Sequence, residues 1–241
     1  MLMSLATWKE VEEYLGRRRD IIIPVGSVEE HGYHLPLFTD SIIAEEISKE
    51  VGERTGIMVA PVVGYGVCRH TSPYPGTVSI ELETLRDLVR DVLNDLHKKG
   101  FETFYLLTGH AGATHAVALR EAGKQLVERG AEVYLIDPYE VKIDDLLESK
   151  LEFPGYQVGH ADEVETSLML FLRPDLVRME KAVDEIPEEE MFGVVPKSKP
   201  TSSGVFGTPT LASREKGERI FHRMVREIVS FIASRVQRPD F

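Results

Sequence analysis

Cysteine is almost missing from this chain: Cys68 is the only one in 241 residues, so no internal disulfide can form and a thiolate zinc site is not expected. Tryptophan is as scarce, with Trp8 alone. No apolar run approaches the ~18 residues of a membrane-spanning helix. The first 19 residues are charged and amphipathic and lack the apolar stretch of a secretory leader. Positive charge is also short: 28 Lys and Arg against 40 Asp and Glu leave a formal net charge of −12, which argues against nucleic acid or an anionic membrane as a partner. The cytoplasm is the expected address. What remains is ordinary for a globular chain with a sizeable core, at 42% hydrophobic and 28% charged residues.

Apolar periodicity alternates along the chain. It predicts strands at 21–25, 57–63, 101–107 and 133–136, and helices at 7–19, 41–54, 79–99, 116–129, 163–171 and 215–236. In the first helix Trp8, Val11 and Leu15 recur on one face and are expected to point inward. Strands alternating with helices of this length imply βαβ units and a mostly parallel sheet with helices on both faces. Glu188, Glu189 and Glu190 read as a solvated face. With no internal repeat and no linker-like boundary, residues 1–241 are expected to form one α/β domain.

The stretch Pro24-Val25-Gly26-Ser27-Val28-Glu29-Glu30-His31-Gly32-Tyr33-His34 follows the first strand and continues to Asp40. Two residues apart, Glu29 and His31 leave the same side of an extended backbone. Gly32 and Pro36 let the chain turn back before Asp40. Three such groups can surround one divalent cation, and a carboxylate can bridge to a second. The third strand ends in Thr108-Gly109-His110, along the same sheet edge, where α/β proteins bind ligands. A tight turn with His110 capping the next helix is the alternative there. In Gly159-His160-Ala161-Asp162-Glu163-Val164-Glu165-Thr166-Ser167, Asp162 and Glu163 suit a helix N-terminus. His160, just before that helix, is placed for proton transfer. No serine lies in a Gly-x-Ser-x-Gly elbow, and no glycine loop has a nucleotide-binding pattern.

Together these motifs resemble the creatininase family of metal-dependent amidohydrolases. Also matching are His34-Leu35-Pro36-Leu37, Pro75-Gly76-Thr77, Thr108-Gly109-His110-Ala111-Gly112, Gly204-Val205-Phe206-Gly207-Thr208-Pro209 and Glu215-Lys216-Gly217, in the family's order. The resemblance implies a three-layer α/β/α domain, usually hexameric, with two divalent ions (zinc, manganese or iron) per subunit. It implies Glu29, His31, Asp40 and His110 as metal ligands, with Asp40 bridging, and His160 as the catalytic histidine. In the family's namesake branch a glutamate two residues after the third-motif histidine is also a ligand, and Gly112 stands at that position here. Glu165, with Glu163 second, is therefore expected to complete the site and to act beside His160. His34, Tyr74 and Tyr156 are assigned to substrate contact. The namesake branch covers its substrate with tryptophans, which this chain lacks in the corresponding loops, so creatinine itself is not the expected substrate. The expected activity is hydrolysis of a C–N amide bond, in a cyclic amide or formamide of a small molecule. Other branches open formamido groups of pterin or flavin precursors, or cleave a small peptide in cofactor maturation. A protein of another class, binding metal or ligand on this scaffold without turnover, is the alternative.

Overall fold

Four strands pair in parallel in the order β2-β1-β3-β4: β1 Asp20–Val25, β2 Met58–Val59, β3 Thr103–Thr108 and β4 Glu132–Ile136. The computed structural model describes residues 1–149, 159–187 and 198–236; Tyr156 and Glu188, Glu189 and Glu190 lie outside the described residues. β1 and β3 are buried on both faces, as central parallel strands must be when helices cover each side. Ile22, Tyr105 and Leu107 face one core, and Ile21, Ile23, Val25, Phe104 and Leu106 face the other.

The first core is closed by α2 (Thr39–Thr55), α5 (Glu163–Leu172) and α6 (Arg214–Val236). The second is closed by α1 (Trp8–Leu15), α3 (Leu82–Lys98) and α4 (Ala113–Glu128). The layers are thus helix, sheet, helix. Among the described residues no helix is long and apolar enough to cross a membrane.

The second strand and the first helix, expected over 57–63 and 7–19, depart most from their expected form. β2 covers only Met58–Val59, because Pro61 has no N–H to give the ladder. The pairing resumes at Val63, whose N–H donates to Pro24 O at 2.9 Å and which bridges Val25. Between these pairings three steps along β1 match four on its neighbour, so one residue bulges out. In α1 Trp8 is 75% exposed rather than inward. A capping box between Thr7 and Glu10 starts the helix. The anchor is at the other end: the Tyr14 hydroxyl donates to Asp20 and accepts from Met58 N, and the first turn stands clear of that contact.

The strand order makes the carboxyl ends of β1 and β3 a switch point. The chain leaves β1 toward β2 on one side and later returns to place β3 on the other. Crevices at such points are where open α/β sheets hold ligands.

Candidate metal centre

Three loops converge on that crevice. The segment after β1 carries Glu29 and His31, the turn after β3 carries His110, and the first turn of α2 carries Asp40. The helix begins at Thr39, two residues ahead of the expected start, so Asp40 is held by helical backbone rather than by a loop. Close approach of α2 to both strand ends demands glycine twice: a Cβ on Gly26 would strike Ser41, and one on Gly109 would strike the Asp40 carbonyl. Ser41 Oγ donates to Ser27 O at 3.0 Å and Ser27 Oγ donates to Asp40 Oδ2 at 2.6 Å, fixing the carboxylate.

Asp40 presents one oxygen to each histidine. Its Oδ1 lies 2.9 Å from His31 Nε2, and its Oδ2 lies 3.1 Å from His110 Nδ1. Glu29 Oε2 is 2.8 Å from His110 Nδ1, and Glu165 Oε2 is 3.7 Å from His31 Nε2. Backbone carbonyls fix both imidazole tautomers. His31 Nδ1 donates to Glu29 O at 3.1 Å, and His110 Nε2 donates to Val67 O at 3.1 Å. The other ring nitrogen of each is left with its lone pair turned toward carboxylate oxygens, the usual support of a metal-binding histidine. Glu29 Oε2 and His31 Nε2 are buried and find no hydrogen-bond partner among the described residues. Acceptors facing acceptors in a buried crevice are unfavourable unless a cation, or protons, lies between them. The donor set therefore fits two divalent ions: His31, Asp40 and Glu165 around one position, and Glu29, His110 and Asp40 around the other.

The charges are mutually supporting. Burial pushes the His31 and His110 imidazoles down, but Asp40 and Glu165 beside the first, and Glu29 and Asp40 beside the second, outweigh it and hold both well above the usual histidine range. Burial likewise pushes Asp40 up, and His31 and His110 bring it well below the usual carboxylate range. Without a cation the histidines would carry protons in its place.

α5 delivers the remaining groups. Asp162 caps the helix, accepting from Val164 N at 2.9 Å and Glu165 N at 3.3 Å. Ala161 has a φ of 50°, unusual for a residue with a Cβ, and its N–H donates to Glu165 Oε2 at 2.6 Å. Strain is thus placed where it aims a proposed ligand. His160 packs on His31, with ring centroids 4.4 Å apart, and donates from Nε2 to Glu30 O at 2.7 Å. Burial and neighbouring His31 lower its pKa, but Glu29, Glu30 and Glu165 win and raise it to about 9. Glu163 points elsewhere. It pairs with buried Lys216 and accepts from Glu148 N and Ser149 N, tying α5 to α6 and the preceding loop.

The residues assigned to substrate contact are placed as follows. His34 is buried, with Nε2 2.9 Å from Thr166 Oγ1, and burial lowers its pKa to about 4. Tyr74 is buried too; its hydroxyl donates to Thr201 O at 2.6 Å and accepts from Thr201 N. Both are engaged within the protein, and Tyr156 is outside the described residues.

Several neighbours of the centre had no sequence signal. Glu30 holds His160 and accepts from Gly32 N at 3.0 Å; the two-residue period that pairs Glu29 with His31 puts Glu30 on the opposite side. Thr71 donates to Glu29 Oε1, and Tyr139 reaches Glu165 Oε1 at 3.5 Å. Cys68 is buried, and its sulfur lies within 4.8 Å of ligand atoms of Glu29 and His110. A lone cysteine has no partner spacing to reveal it.

Known proteins share both the sequence and the fold of this chain. A family model described as "Creatininase: Creatinine amidohydrolase" matches residues 4–232. The creatinine amidohydrolase of Pseudomonas putida is 31% identical over 245 residues, covering 94% of this chain and 94% of that one. The mycofactocin precursor peptide peptidase of Mycobacterium ulcerans (strain Agy99) is 32% identical over 236 residues, covering 91% of this chain and 87% of that one. A manganese creatininase structure superposes with a TM-score of 0.89 at 27% identity, over 98% of this chain and 99% of that one. A creatininase mutant of zinc–zinc type gives 0.86 at 28% identity, over 98% of each chain.

Proposed function

The chain belongs to the creatininase family of hydrolases, and from that premise we propose that it hydrolyses the C–N bond of a cyclic amide or formamide in a small molecule. The observation that carries this reading is the Asp40 carboxylate, with one oxygen toward His31 and the other toward His110. Glu29 and His110 would hold one cation, His31 and Glu165 the other, and Asp40 both. When bound, such a pair supplies a water of lowered pKa and a Lewis acid for the amide carbonyl.

The protein's own residues do the rest. An amide nitrogen leaves only when it receives a proton, and His160 is the group assigned to give it. Glu30 holds its Nε2, so Nδ1 is the ring atom left for transfer, and the Glu30 carboxylate 3.2 Å from Nε2 favours the protonated ring. Glu165 aims at the cation position from beside His160, on the same turn of chain. Residues 1–241 act as one domain in this reading, supported by the two cores flanking a single sheet. The protein works in the cytoplasm as a homo-oligomer, a hexamer by resemblance; exposed Leu37, Phe38 and Tyr65 near the crevice support a covered surface.

Similarity to the mycofactocin precursor peptide peptidase carries a second reading, a short peptide as substrate. Purified, metal-loaded protein assayed on a panel of lactams, formamides and short peptides separates these readings. Turnover of a lactam or formamide that a chelator abolishes is expected. Turnover of peptides alone would favour the second reading. Saturable metal uptake with no turnover on any of them would make the protein a binder.

A further inference from the structure

Resting on the two-cation reading, we propose that Cys68 is the fourth donor of the cation position built by Glu29, His110 and Asp40, and that this position takes a thiophilic cation of the zinc class. The Cys68 sulfur and the ligand atoms of Glu29 and His110 all lie within 4.8 Å of one another, and all three residues are buried. Donors around one tetrahedral zinc, with Zn–S near 2.3 Å and Zn–N or Zn–O near 2.0–2.2 Å, stand roughly 3.5 Å apart. The three ligand atoms, none more than 4.8 Å from another and with Glu29 Oε2 and His110 Nδ1 2.8 Å apart, are thus gathered closely enough to share one cation after local adjustment. Glu29 Oε2 points to the same place: it belongs to a side chain only 3% exposed, no donor other than a proton on His110 Nδ1, 2.8 Å away, is given to it among the described residues, and a cation would take that proton's place.

The thiol is carried on a segment that already serves this position. Val67 O accepts from His110 Nε2 and sets its tautomer, while Val67 N donates to His115 Nδ1 at 3.3 Å. Cys68 N donates to Ser79 Oγ at 2.9 Å, and Gly66 O accepts from Ile80 N at 3.0 Å. Residues 66–68 are thus held by a backbone hydrogen bond at each position. The turn after β3 cannot supply a competing donor, since Gly112 has no side chain and a Cβ there would strike the His110 ring.

The two positions then differ in kind. The first is built by His31, Asp40 and Glu165 alone, whereas Cys68 would join Glu29 and His110 at the second, which Asp40 reaches through its Oδ2 beside His110. Sulfur also selects the metal, because a thiolate favours zinc or cobalt over manganese, which carboxylates alone do not. Binding converts the Cys68 thiol to thiolate and releases one proton to solvent.

Cobalt titration of the metal-free protein tests this without relying on turnover. The wild-type protein should take up two equivalents and develop a near-ultraviolet thiolate-to-cobalt charge-transfer band that saturates with one of them. Cys68→Ser should lose the band, keep uptake at the His31 position, and bind at the other position at least about 10-fold more weakly. The wild-type spectrum decides the matter even if the variant does not fold. Zinc-edge absorption on wild-type protein should likewise show one sulfur shared over two zincs. Two bound equivalents with no such band and no sulfur would overturn the assignment of Cys68 and leave the two-cation reading standing. No cobalt uptake at all would overturn both.

Discussion

At the scale of single residues, the chemistry turns on which groups hold cations and which move protons. His160 is tied through Nε2 to Glu30, outside the proposed ligand sets, and its assigned role is proton transfer. His160→Ala is therefore expected to retain its metals by elemental analysis while kcat falls about 10²–10⁴-fold, the usual worth of general acid–base catalysis. A metal-free variant would make His160 a ligand instead. The sequence was informative here where ligand types crowd directly behind a strand, as with Glu29, His31 and His110. It was silent on Glu30 and Cys68, whose positions depend on contacts distant in sequence: Glu30 meets His160 and Cys68 meets His110 only once the sheet has formed. It also could not show that His34 and Tyr74 are occupied by Thr166 and Thr201, because those partners come from the far half of the chain.

At the scale of elements, the decisive feature is the seating of α2 against the ends of β1 and β3. Asp40 reaches both histidines because the helix N-terminus lies almost on the strand ends, and Gly26 and Gly109 make that approach possible. Gly109→Ala places a methyl against the Asp40 carbonyl and must push the helix away. It is expected to cost about 1–3 kcal/mol in denaturant unfolding, as overpacking of a tight contact does, and to weaken metal uptake together with stability. Unchanged stability and uptake would mean that the contact is not rigid. Helix and strand existence was legible from periodicity, since α3 and α6 carry clear apolar stripes. Boundaries were less so. The start of α2 was displaced because Thr39 and Asp40, polar and next to a proline-containing turn, read as loop until their burial is seen. The second strand is shorter than its apolar run, which does not reveal the bulge that Pro61 forces.

At the scale of the molecule, cation binding and stability are one linked equilibrium. His31 and His110 have folded-state pKa values held well above the ordinary histidine value, so their protons stabilise the metal-free fold fully below about pH 6.5 and progressively less as pH rises. Cations replace those protons and remove that loss. The Tm difference between loaded and metal-free protein is therefore expected to widen as pH rises above about 6.5, by scanning calorimetry at fixed cation concentration; a difference that narrows would give the linkage the wrong sign. The three-layer arrangement was legible as a class from the alternation of strands and helices. The strand order was not, because it depends on which strand ends meet and not on any one segment's pattern. That order is what brings Glu29, His31, Asp40 and His110 to one crevice, where Asp40 is proposed to join two cation positions. Metal content of purified, reloaded protein, measured beside Asp40→Ala and His110→Ala, tests it most directly. Up to two divalent ions per chain are expected in the wild type, with a greater loss from Asp40→Ala than from His110→Ala. Equal partial losses in the two variants, or a wild type that holds no divalent ion, would contradict it.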